Sequence, residues 1–114
     1  MKKIRTGVIG VGSMGKNHAR LCSQISDLVG VSDLDLRQGE NVANEYKTKF
    51  FKDYNNLLEV VDAVIIAVPT IHHLEVVEAA AKAGVNILVE KPLASTIEDC
   101  QKILSVCKEN KVKL

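Results

Sequence analysis

Short runs of aliphatic and β-branched residues alternate along this chain with longer segments whose apolar positions recur every three or four residues. Residues 4–9 (IRTGVI) predict a strand that runs into glycines at 10, 12 and 15. From 13 to 25, Met14, Leu21, Cys22 and Ile25 fall on one face at helical spacing, which predicts an amphipathic helix. A second strand is expected over 28–32. A second helix follows over 36–46, weakened at Gly39 by roughly 1 kcal/mol relative to alanine. Residues 49–51 predict a short edge strand, and Asp53 caps a brief helix carrying Leu57 and Leu58. The run AVIIAV at 63–68 is apolar throughout, as in a parallel strand covered on both faces. Pro69 and Thr70 end it and open a helix with Leu74, Val77 and Ala81 on one face and Gly84 as its terminator. Residues 85–89 predict another buried strand. Ser95 and Glu98 have capping-box spacing for a last helix reaching about Lys108, with Ile97, Cys100, Leu104 and Cys107 as its apolar stripe.

Such alternation predicts an α/β fold in three layers, a doubly wound parallel sheet of the Rossmann class with right-handed crossovers. No linker or repeat divides it, so residues 1–114 are expected to form one domain. The polar break at Asn110 and Lys111, followed by the alternating Val112, Lys113 and Leu114, reads as a sixth strand truncated at its start.

Composition narrows the function classes. At 114 residues, 46% hydrophobic and 25% charged, the chain has ordinary globular proportions and enough length for one core. A net charge of +1 and only four aromatic residues, Tyr46, Phe50, Phe51 and Tyr54, leave no footprint for nucleic acid. The basic opening Met1–Arg5 is followed at once by Thr6, Gly7, Gly10 and Gly12, too broken for a signal peptide, and no run approaches a membrane span. Three cysteines, Cys22, Cys100 and Cys107, suggest neither a disulfide framework nor a metal site, so reduced thiols and a cytoplasmic location are expected.

The candidate chemistry begins at Gly10-Val11-Gly12-Ser13-Met14-Gly15, a G-x-G-x-x-G pattern between a predicted strand and a predicted helix. Gly10 permits a tight turn, Gly12 lets backbone approach a pyrophosphate, and Gly15 lets the helix pack closely. Unpaired N–H groups at the helix start then face the phosphates, with the Ser13 hydroxyl in reach. Asp33, 18 residues after Gly15 at the end of the second strand, suits the hydroxyls of an adenosine ribose. A carboxylate there repels a 2′-phosphate and favours NAD. Arg37, one turn on, offers a phosphate partner that leaves NADP possible. Asp35 reads as a helix cap, His18 as a packed core or rim histidine, and His72 as solvent-facing. Taken alone, Lys91 is a solvated surface lysine.

The stretch Ala67-Val68-Pro69-Thr70-Ile71-His72-His73, then Gly84 and Val89-Glu90-Lys91-Pro92-Leu93-Ala94, joins GVIGVGSMGKNHAR at 7–20 and Val31-Ser32-Asp33. Together these resemble the N-terminal half of the Gfo/Idh/MocA oxidoreductases, over essentially the whole chain. The resemblance implies that Gly12, Ser13 and Met14 hold the pyrophosphate and Asp33 the ribose. It implies that Val68, Pro69 and Thr70 border the cofactor, with His73 near by and Glu90 close to the nicotinamide. Lys91 would be the active-site lysine, hydrogen-bonded to the hydroxyl that loses hydride. The family's C-terminal half, which walls the sugar or polyol pocket, forms the usual homo-oligomer interface and carries an assisting Asp/His pair, is expected to be absent from this chain. The chain by itself is then expected to bind cofactor without turnover. A standalone nucleotide-sensing regulatory module is the alternative; it would have no need of Glu90-Lys91-Pro92.

Overall fold

The computed structural model describes residues 3–114, so the first two residues of the basic opening lie outside it. Five strands, β1 (Arg5–Ile9), β2 (Asp27–Ser32), β3 (Lys49–Phe50), β4 (Ala63–Ile66) and β5 (Asn86–Val89), form one parallel sheet in the order β3-β2-β1-β4-β5. Helices α1 (Ser13–Ile25), α2 (Leu36–Glu45), α3 (Tyr54–Leu58) and α4 (His73–Lys82) connect successive strands, and α5 (Ile97–Glu109) follows β5. A 3₁₀ turn, Thr70–His72, precedes α4. This is the doubly wound sheet expected, and its strand order reverses at β1.

Successive residues point to opposite faces of a strand, so the sheet divides the interior into two cores. On one side Ile9, Leu57, Val64, Ile66, Val77, Ile87 and Ile103 pack together. On the other are Val8, Val11, Ala19, Cys22, Val31 and Val42. Asp35, Asp53 and Thr96 cap α2, α3 and α5 with their side chains. The cap of α5 is therefore Thr96, accepting from the Asp99 N–H, and not the Ser95 of the expected capping box.

Two predicted helical faces differ from those observed. α1 buries Gly15, Ala19 and Cys22, and leaves Met14, Leu21 and Ile25 exposed. The helix sits so close to the sheet that only small side chains fit beneath it. α5 buries Ile103 and Cys107, with Ile97 and Leu104 exposed on its flank. At 100° per residue, 97 and 104 lie about a quarter turn from the line through 103 and 107 that meets α4 and the sheet. Residues 112–114 form no strand. Lys113 O accepts the Ile87 N–H at 2.8 Å, so the tail runs beside β5 without extending the ladder.

Candidate functional site

In an open parallel sheet the ligand crevice lies beyond the carboxyl ends of the strands, where the order reverses. Here that point lies between β1 and β4. Backbone bonds hold the segments leaving the strands side by side: Gly10 N–H to Ser32 O (2.8 Å), Ala67 N–H to Ile9 O (2.8 Å) and Glu90 N–H to Ile66 O (3.0 Å). A groove of about 710 Å³ opens above them, within the usual size of a small-ligand site. Gly10, Gly12, Ser13, Met14, Gly15, Asp33, Val68 and Pro69 line it, bringing together residues that the sequence singled out from three separate segments.

The glycine loop has the geometry that its pattern implies. Gly10 adopts φ +90°, and a Cβ there would stand 2.7 Å from the Ala67 carbonyl carbon. A Cβ at Gly15 would lie 1.7 Å from Gly10 O, so these two positions exclude any side chain. Gly12, the N-cap of α1, differs: a Cβ there would meet nothing within 4 Å and would project into open space. No side chain caps α1, so its first N–H groups stay available at the positive end of the helix dipole.

Asp33 proves to be an anchor as well as a groove residue. Its Oδ2 accepts the Val11 N–H at 2.8 Å and its Oδ1 accepts the Asp35 N–H at 2.8 Å. Gln38 donates from Nε2 to Val11 O at 3.0 Å, so the peptide groups flanking the centre of the glycine loop are held on both sides. Each carboxylate oxygen has a second lone pair, so these bonds leave Asp33 able to accept from a ligand. Arg37 does not line the groove; it borders a shallower depression with Lys16, Asn41 and Glu45. Asp35 caps α2 as expected.

The histidines are arranged differently from the sequence expectation. His72 lines the groove. His73 is 1% exposed, with Nδ1 3.0 Å from Leu93 O and Nε2 2.9 Å from Val68 O. The 3₁₀ turn before α4 rotates His72 toward the cleft and His73 under it, so His73 braces the loops that follow β4 and β5. His18, read from sequence as a packed core or rim histidine, stands at the rim and pairs with Glu90 through Nε2 and Oε1. No local pattern signals a contact across 72 residues. Thr70, Glu90 and Lys91 stand on the same sheet edge outside the groove lining. Lys91 is exposed and makes no hydrogen bond or ion pair among the described residues.

Gln38, Lys52, Tyr54 and Glu75 also line the groove and were not singled out from sequence. Lys52 and Tyr54 follow β3, and the rule that ligands sit at carboxyl strand ends would have found them. Burial, and then the Glu75 carboxylate 3.5 Å away, push the Tyr54 phenol above its ordinary value. Among the described residues no three metal-ligating side chains come together, and no helix is long and apolar enough to cross a membrane.

Comparison with known proteins agrees with this geometry. The profile described as "Oxidoreductase family, NAD-binding Rossmann fold" of the Gfo/Idh/MocA group matches residues 4–114. The chain belongs to the Gfo/Idh/MocA oxidoreductase family. It is 40% identical to the UDP-N-acetylglucosamine 3-dehydrogenase of Acidithiobacillus ferrooxidans, over 100% of this chain and 36% of that protein. The crystal structure of that enzyme superposes with a TM-score of 0.95 at 39% identity, covering 98% of this chain and 37% of the other. The inositol 2-dehydrogenase of Pseudomonas fluorescens is 37% identical over 108 residues, 89% of this chain and 32% of that protein. A further solved structure, GenD2 from gentamicin A biosynthesis in complex with NAD, superposes at a TM-score of 0.92 with 28% identity, covering 98% of this chain and 33% of that one. This Gfo/Idh/MocA chain is thus an NAD-binding Rossmann domain, spanning about a third of the length of the relatives it matches.

Proposed function

We propose that this domain is the cofactor-binding part of a dehydrogenase that moves hydride between NAD and a hydroxyl-bearing carbon of a sugar or cyclitol. One observation carries the reading. The uncapped start of α1, the Asp33 carboxylate and the lysine two residues past β5 share the carboxyl edge of one sheet. The named activities of the relatives, on a UDP-linked sugar and on inositol, agree with that substrate class.

In this reading the N–H groups of Ser13 and Met14 and the open space beside Gly12 receive the pyrophosphate, and Asp33 accepts from the ribose hydroxyls. With Arg37 turned to a separate depression, the Asp33 charge faces a 2′-phosphate alone, which favours NAD over NADP. Val68 and Pro69 border the middle of the cofactor, and His73 holds that border in place. A nicotinamide held here would supply the acceptor or donor of the hydride. Lys91, two residues beyond β5, donates a hydrogen bond to the substrate oxygen and stabilises the charge that develops there. We expect these 114 residues by themselves to bind cofactor without turnover.

Titration with NADH and NADPH, followed by nicotinamide fluorescence, tests the reading. Saturable binding of NADH, weaker binding of NADPH and a tenfold or greater loss of NADH affinity in Asp33→Ala are expected. Absence of saturable binding, or an Asp33→Ala chain that binds as well as the wild type, sinks it.

A further inference from the structure

We propose that His18 is a positioning residue for Lys91, acting through Glu90. This deepens the dehydrogenase reading and rests on it for the importance of Lys91, though the tether itself is a property of the chain alone. Beyond the Glu90 N–H bond to Ile66 O, the segment 90–94 that carries Lys91 has no helix or strand to fix it. Side chains meet it at two points. Glu90 is bound by His18 from α1, and the Leu93 carbonyl lies against His73 at the start of α4, whose other ring nitrogen reaches Val68 O. Lys91 lies between the two and has no partner of its own among the described residues.

The His18–Glu90 contact is the more telling of the two, because it joins the segment to the helix whose first turn faces the groove. His18 is five residues past Ser13, about 7.5 Å along the helix axis at 1.5 Å per residue. The pairing is 21% and 26% exposed, shielded enough for the contact to hold one geometry. It has two consequences. The end of β5 is fixed relative to the pyrophosphate-binding turn, so that Lys91 and the bound cofactor would share one rigid frame. The Glu90 carboxylate is also kept on α1, leaving the neighbouring ammonium of Lys91 unpaired and able to meet a substrate oxygen.

The tether can be measured by ¹⁵N relaxation on the full 114-residue chain without ligand. In the wild type, the Glu90 and Lys91 amides are expected to have order parameters near those of β5, about 0.85. In His18→Leu, and independently in Glu90→Ala, the Lys91 amide should fall below about 0.6 while β1 and β4, with the Glu90 amide bonded to Ile66 O, stay rigid. His18→Gln, which retains a donor, should recover much of the loss. Unchanged order at Lys91 in both loss variants overturns the proposal. An NADH titration read at the Gly12–Gly15 amides tests the cofactor reading separately: silence there removes the reading but leaves the relaxation result to decide the tether.

Discussion

Two glycines of the loop, Gly12 and Gly15, should fail in different ways when each is replaced by alanine. At Gly15 the new Cβ would stand 1.7 Å from Gly10 O, whereas ordinary contact begins at 3.4 Å. Helix and turn must therefore separate by about 1.7 Å, moving the first N–H groups of α1 away from the end of β1. Overpacking of this kind costs about 1–3 kcal/mol, which in a small domain lowers Tm by roughly 4 °C or more. At Gly12 a Cβ meets no atom within 4 Å, and φ −65° is ordinary backbone for alanine. Stability should change by less than about 1 kcal/mol. The methyl would nevertheless occupy the space assigned to the pyrophosphate, so NADH affinity should fall at least tenfold, about 1.4 kcal/mol. Thermal unfolding by circular dichroism and NADH fluorescence, measured on both variants, separate the two effects. A Gly12→Ala chain that binds NADH like the wild type, or a Gly15→Ala chain with unaltered Tm, refutes the reasoning.

Two further outcomes concern the core. Leu57 is fully buried, and its methyl groups lie 2.9 Å from where a Cβ on Gly7 would stand. Leu57→Ala should cost about 2–5 kcal/mol in urea unfolding, and Gly7→Ala should be better tolerated in that background than in the wild type; additive costs would contradict this packing. Burial pushes the Cys107 thiol above its ordinary value, so the unfolded chain ionises first as pH rises. The contribution is fully present below the ordinary thiol range, about 8.5, and is lost as pH climbs through the folded value. The urea midpoint should therefore decline above about pH 8.5, less steeply in Cys107→Ala; equal slopes would remove Cys107 as the cause.

Hydrophobic periodicity located every helix and strand of the sheet, but was a poorer guide to which helical face is buried. In α1 the large apolar residues Met14, Leu21 and Ile25 attracted the assignment, while Gly15 and Ala19 meet the sheet. The reason is distance: where a helix must approach a phosphate-binding turn, smallness outranks hydrophobicity. The adjacent histidines at 72 and 73 show the same limit. Their order in the chain says nothing of which one a 3₁₀ turn directs into the groove and which it buries between two carbonyls.

By itself the sequence determined the doubly wound fold, the glycine turn and the acid at the end of β2, because each depends on local periodicity or on the backbone freedom of one residue type. Only the tertiary structure decided that Asp33 also anchors the glycine loop, that Arg37 faces elsewhere, and that His18 holds Glu90 across the sheet. Those contacts join segments brought together by strand order and helix approach, and such distances are not written in any local pattern.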